Sequence, residues 1–174
     1  MKGRRSRRDF ENQAREALRR RVVSLKTNVF LRQRMVSPAF RVSGSSKRME
    51  PAQTRRVAVL DDDQSIGSAI SRLLRTSNIE AESYVTWIEL FNAVAQSPPD
   101  CLILDLQMPG MNGLDVMHYL ANRGIHLPTI IITAHDEADS RRSCLAAGAR
   151  AYLRKPLDAD ELFRAIDEVA NIDR

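Results

Sequence analysis

From residue 55 onward, apolar positions fall into two alternating rhythms. Short unbroken runs at 57–60, 101–104, 129–133 and 149–153 have the length and composition of strands buried on both faces. A weaker run at 79–84 sets Ala81 and Ser83 against Glu80 and Glu82, the alternation of an edge strand with one wet side. Between these runs the apolar residues recur at three- and four-residue spacing. Ile66, Ala69, Ile70, Leu73 and Leu74 make one helical stripe. Trp87, Leu90, Phe91 and Val94 make a second, within a helix over 87–96 that Pro98-Pro99 ends. Further helices are predicted from Leu114 to about Asn122 and from Glu137 to Ala147, the latter closed by Gly148. The last carries Leu162, Phe163, Ile166 and Val169 inward and starts at Asp158 or Asp160. Strand and helix alternate five times, (βα)5, which predicts an α/β fold with a parallel sheet, helices on both faces and right-handed crossovers.

In such a sheet the carboxyl ends of the strands converge on one edge, where ligands bind. The residues just past each strand are therefore the ones to inspect. They are Asp61, Asp62 and Asp63 after the first strand, Asp105 at the end of the third, Thr133 at the end of the fourth and Lys155 after the fifth. Each has an ordinary explanation alone: an Asp run caps the next helix, Lys155-Pro156 ends a strand, and a Thr hydroxyl closes a turn. Together they make a specific constellation. Crowded carboxylates repel, and a hard divalent cation relieves them; oxygen-only ligands without a dedicated cage favour Mg²⁺, which keeps waters and shares its shell with phosphate. Lysine and threonine add a positive charge and a hydrogen-bond donor. Such a site can hold a phosphoryl group on one carboxylate, with Asp105 as the nucleophile.

Charge divides the chain. Residues 1–56 carry 17 Lys+Arg against 4 Asp+Glu and residues 57–174 carry 10 against 18, so a segment of +13 precedes one of −8. The expected organisation is a basic extension over 1–54 and a folded domain over 55–174. Within the extension, Phe10, Ala14, Ala17, Leu18, Val22, Leu25 and Val29 recur at helical spacing behind Asp9, and Ser-Gly-Ser-Ser at 43–46 reads as a linker. A disordered tail, or a segment absent from the mature protein with Met35 or Met49 as the start, is the leading reading; a nucleic-acid arm and a membrane-surface helix are alternatives, and the acids Asp9, Glu11 and Glu16 weaken a transit peptide. Cys101 and Cys144 lack metal or disulfide spacing and are expected to be free buried thiols. No apolar run approaches the roughly 18 residues of a membrane span, and a cytoplasmic location is expected.

Val-Leu-Asp-Asp-Asp at 59–63, Leu-Asp-Leu-Gln-Met-Pro-Gly-Met-Asn-Gly at 104–113, Ile-Thr-Ala at 132–134 and Tyr-Leu-Arg-Lys-Pro at 152–156 resemble the receiver domain of two-component response regulators, most closely FixJ-type receivers. The resemblance implies a flavodoxin-like sheet of order 2-1-3-4-5. It also implies that Asp105 accepts a phosphoryl group from a histidine kinase or phosphotransfer protein. Asp61, Asp62, Asp105 and the main-chain oxygen of Gln107 would hold Mg²⁺, Asp61 chiefly through water. Lys155 would contact the phosphate, Thr133 and Tyr152 would form the switch pair, and the small Ala134 would leave the phosphate accessible. Asp63 has no required role in that scheme. Phosphorylation would draw Thr133 toward the phosphate, let Tyr152 turn inward and remodel the face of helix four, strand five and helix five. That face would then engage a downstream protein or a second copy of the chain.

Because the chain ends just after the fifth helix, the expected protein is a stand-alone receiver that phosphorylates and dephosphorylates only itself. An alternative is a transcription-type regulator whose basic arm contacts nucleic acid. An Mg²⁺-dependent aspartyl phosphohydrolase is disfavoured, because the second acid of a DxD pattern is replaced by Gln107.

Overall fold

A computed structural model of the chain describes residues 55–135 and 137–171. The helix and linker expected within residues 1–54 lie outside the described residues. Among the described residues five strands and five helices alternate: β1 (Arg56–Leu60), α1 (Gln64–Thr76), β2 (Glu80–Tyr84), α2 (Trp87–Gln96), β3 (Cys101–Asp105), α3 (Gly113–Ala121), β4 (Thr129–Thr133), α4 (Ala138–Ala146), β5 (Ala151–Arg154) and α5 (Ala159–Asn171). The strands form one parallel sheet in the order β2-β1-β3-β4-β5.

The sheet divides each apolar run between two cores, because successive side chains point to opposite faces. On one face Val57, Val59, Ile103, Ile130, Ile132 and Leu153 meet Ile70 and Leu74 of α1 and Leu162 and Ile166 of α5. On the other, Ala58, Leu60, Leu102, Leu104, Ile131 and Tyr152 meet Leu90 and Phe91 of α2, Val116 and Leu120 of α3, and Cys144 of α4. All five residues of β3 and of β4 are buried, which explains their unbroken apolar character. At the edge, β2 buries Ala81 and leaves Glu80 and Glu82 exposed, as its alternation predicts, but Ser83, expected on the same side as Ala81, is exposed too.

Helix starts follow local chemistry. Thr86 with Glu89 and Asn112 with Asp115 form reciprocal capping boxes at α2 and α3. Asp158, rather than Asp160, opens α5, accepting from the Glu161 amide at 2.9 Å. α4 is the exception: Glu137 makes no side-chain cap, and Cys144 is the one buried residue of the helix. The fifth strand starts at Ala151, two residues later than the apolar run suggests, because Gly148 at φ +100° turns the chain out of α4 first. Both cysteines are free and buried, and burial pushes the Cys101 thiol up to about 12. No helix among the described residues is long and apolar enough to cross a membrane.

Candidate functional site

The strand order reverses direction between β1 and β3, and the acids stand at that switch point. Asp105 is the last residue of β3, and Asp61 follows β1 directly. One carboxylate oxygen each from Asp61, Asp62 and Asp105 lies within 4.8 Å of the others. Asp61 and Asp105 are 1% and 4% exposed, whereas Asp62 is exposed. Two of the acids are thus held out of water by the sheet and one faces it.

Lys155 reaches this cluster from β5. The Lys155 amide donates to the Thr133 carbonyl at 2.7 Å, so the ladder between β4 and β5 sets the position of its side chain. Its Nζ lies 2.7 Å from Asp61 Oδ2 and 3.2 Å from Asp105 Oδ1. The contact to Asp61 is a hydrogen bond. That to Asp105 is an ion pair only, leaving the buried Oδ1 of Asp105 without a hydrogen bond. Burial alone would lower the ammonium's pKa, but the two carboxylates outweigh it and hold it above the ordinary lysine value. For Asp105 the balance is reversed: burial raises its pKa, and Lys155 offsets this only in part. The site therefore holds an excess of negative charge around a buried carboxylate. Its all-oxygen donor set fits a hard divalent cation.

Asp63 does not join the cluster. Its Oδ1 accepts from the Ser65 amide at 2.8 Å and the Ser65 hydroxyl at 2.6 Å, so it is the N-cap of α1. These bonds hold its carboxyl below the ordinary value. Thr133 is fully buried, and its hydroxyl is engaged with its own turn, donating to the His135 carbonyl at 3.1 Å and accepting from the His135 amide at 3.2 Å. Tyr152 is already inside, 6% exposed, with the Arg141 guanidinium 5.6 Å from its ring centre. Gln107, in the turn after β3, places its Oε1 2.7 Å from Nδ1 of His135.

Gly113 has a positional role that its place in a turn motif does not announce. A Cβ there would lie 2.6 Å from the carbonyl oxygen of Asp105 and 3.1 Å from Cα of Leu106. Only glycine lets α3 start against the backbone that carries Asp105. Gly113→Ala should therefore displace the end of β3, destabilising the fold by about 1–3 kcal/mol. It should slow any reaction at Asp105 by on the order of tenfold to a hundredfold, since an ångström of misplacement has that effect. Thermal melts and labelling by a small acyl phosphate measure the two; a variant equal to wild type in both removes the constraint.

A doubly wound parallel sheet with a buried carboxylate pair, an exposed third acid and a bridging lysine at its switch point defines a class of α/β domain with an anionic pocket at its carboxyl edge. The chain belongs to the response regulator receiver domain family, whose sequence model matches residues 57–167. Over 111 residues it is 37% identical to the DNA-binding transcriptional regulator NtrC of Escherichia coli K12, a match covering 64% of this chain and 24% of NtrC. It is 36% identical over 108 residues to the response regulator MprA of Mycobacterium avium, covering 62% and 47% respectively. The chain thus spans from about a quarter to about half the length of these relatives. Among solved structures, a response regulator receiver protein from Burkholderia phymatum is 47% identical, with a TM-score of 0.61 over 68% of this chain and 96% of that one. The FixJ-N crystal structure is 25% identical, with a TM-score of 0.62 over 68% and 95%.

Proposed function

We propose that Asp105 is the phosphoryl acceptor of a phosphorelay, taking the group from a phosphohistidine on a histidine kinase or phosphotransfer protein. The observation that carries this reading is the fork of Lys155 between Asp61 and Asp105, with Asp62 alongside: a nucleophilic carboxylate held between a fixed cation and two further acids. In the transfer, a carboxylate oxygen of Asp105 forms the new bond to phosphorus. The phosphorus–nitrogen bond to the donor breaks, and the imidazole keeps the electron pair. Lys155 balances charge on the transferring oxygens. Asp61, Asp62, Asp105 and the main-chain oxygen of Gln107 are the residues that would hold Mg²⁺, which when bound offsets negative charge on the phosphoryl oxygens. Thr133 and Tyr152 carry the change outward to the α4–β5–α5 face, where a downstream protein or a second copy of the chain docks. The protein works as a cytoplasmic signalling module over residues 55–174, in keeping with the compact unit Thr54–Arg174, and acts catalytically only on its own phosphoryl group.

Incubating the full chain with Mg²⁺ and a small acyl phosphate should leave one acyl phosphate, mapped to Asp105 by mass spectrometry. A label on another residue, or none, overturns the assignment. Mg²⁺ should also raise the melting temperature, by on the order of 1–2 kcal/mol of stability at roughly tenfold excess over its Kd. Asp62→Ala should shrink that gain with little change to the metal-free melt, because Asp62 is exposed. An undiminished gain would take Asp62 out of the metal site.

A further inference from the structure

The turns after β3 and β4 are joined by a side-chain hydrogen bond between the Gln107 carboxamide and the His135 imidazole. The bond pairs Oε1 of Gln107 with Nδ1 of His135 at 2.7 Å. The same His135 gives both its backbone amide and its carbonyl to the Thr133 hydroxyl. His135 is thus held from two sides, its ring by Gln107 and its main chain by Thr133. Among the described residues of this connection Ala134, His135 and Glu137 are exposed, and Glu137 makes no side-chain cap to α4.

We infer that Gln107 and His135 form a latch between these two turns that keeps the Thr133 hydroxyl on its own turn and weights the receiver toward its unphosphorylated arrangement. For Thr133 to donate to a phosphoryl group on Asp105, its hydroxyl must leave the His135 carbonyl. That frees the His135 main chain, while the Gln107 bond holds the ring where it was. A group that stabilises one arrangement must be overcome by whatever selects the other. Gln107 and His135 are positioning residues in this scheme, acting through Thr133 rather than on the phosphoryl group. The latch rests on the reading of Asp105 as acceptor and Thr133 as the hydroxyl that meets the phosphoryl group.

Titrating the full chain with beryllofluoride in Mg²⁺, a stand-in for the phosphoryl group on a carboxylate, separates the two claims. Gln107→Ala and His135→Ala should each tighten binding, by roughly two- to tenfold for one exposed hydrogen bond. The double variant should be no tighter than the better single one, because both substitutions open the same latch. In ¹⁵N spectra of the imidazoles, Gln107→Ala should shift Nδ1 of His135 while leaving His118 and His126 in place. Unchanged or weakened binding in the single variants, or gains that multiply in the double one, overturns the latch while leaving Asp105 as acceptor. Wild type that takes up no beryllofluoride overturns the acceptor reading, and the latch with it.

Discussion

Asp105→Asn is expected to abolish phosphoryl uptake and at the same time to raise the melting temperature of the metal-free protein. The first effect follows from chemistry, since the amide oxygen is a far weaker nucleophile than the carboxylate and cannot form the acyl phosphate. The second follows from the electrostatics of the pocket. Asp61, Asp62 and Asp105 face a single lysine, and Asp105 is 4% exposed with one oxygen lacking a hydrogen bond. Its pKa is raised, chiefly by burial. A carboxyl whose folded value lies above its unfolded one favours folding while it is protonated, and that advantage is lost as pH rises through the folded value. At neutral pH the ionised Asp105 is therefore a burden, and the isosteric amide removes it. A gain on the order of 1 kcal/mol, or about 4 °C, is the expected scale. The gap should close as pH falls below the carboxylate range, where wild type also becomes neutral at this position, and the stabilisation by Mg²⁺ should be smaller in the variant. Full labelling of Asp105→Asn would show that another acid accepts the group. A lower melting temperature at neutral pH would show that Asp105 is a net contributor to the fold.

How much of this was legible beforehand depends on what kind of spacing carried it. The central strands could be read because a strand buried on both faces needs an apolar residue at every position, and 101–104 and 129–133 supply it. The convergence of Asp61, Asp62, Asp105 and Lys155 could be read because parallel topology alone brings all strand ends to one edge, whatever their separation along the chain. Pairing within that edge could not. Lys155 and Asp61 are 94 residues apart, and nothing in their neighbours tells which carboxylate takes the lysine's hydrogen bond. Three consecutive aspartates look equivalent as letters, yet the structure buries Asp61, exposes Asp62 and turns Asp63 into a helix cap. The demand for glycine at 113 comes from the Asp105 carbonyl, a backbone atom that no residue pattern reports. The same holds for the bond between Gln107 and His135, two exposed side chains 28 residues apart. Tyr152 illustrates a different gap: its place in the sheet was readable, but the burial of its ring depends on the core cluster it shares with Ile131, Cys144 and Ala149.

Lys155→Ala is expected to be the most destabilising single change at the pocket, and Mg²⁺ is expected to repair much of it. The lysine side chain is 14% exposed and faces carboxylates that are 1% and 6% exposed, so its removal strands two buried charges. Breaking such a pair from one side typically costs about 3–5 kcal/mol, which the nearby solvent at Asp62 will reduce. The pKa of Lys155 is raised, so its contribution is fully present below the ordinary lysine value of 10.5 and is lost only as pH climbs through the folded value. Wild type and variant should therefore differ throughout the neutral range. Toward acid the difference should narrow, because protonating the carboxylates removes the charges that the lysine had balanced. A divalent cation supplies the missing positive charge at the same three carboxylates, so the stabilisation by Mg²⁺ should be larger in Lys155→Ala than in wild type. Phosphoryl transfer should still be severely slowed, since the lysine's charge at the transferring oxygens is gone. Lys155→Met, which keeps the bulk of the stem without the charge, distinguishes electrostatics from packing: it should behave like Lys155→Ala in its pH dependence and its response to Mg²⁺. If both variants melt like wild type at neutral pH and gain no more from Mg²⁺ than wild type does, Lys155 is not the counter-charge on which the buried carboxylates depend.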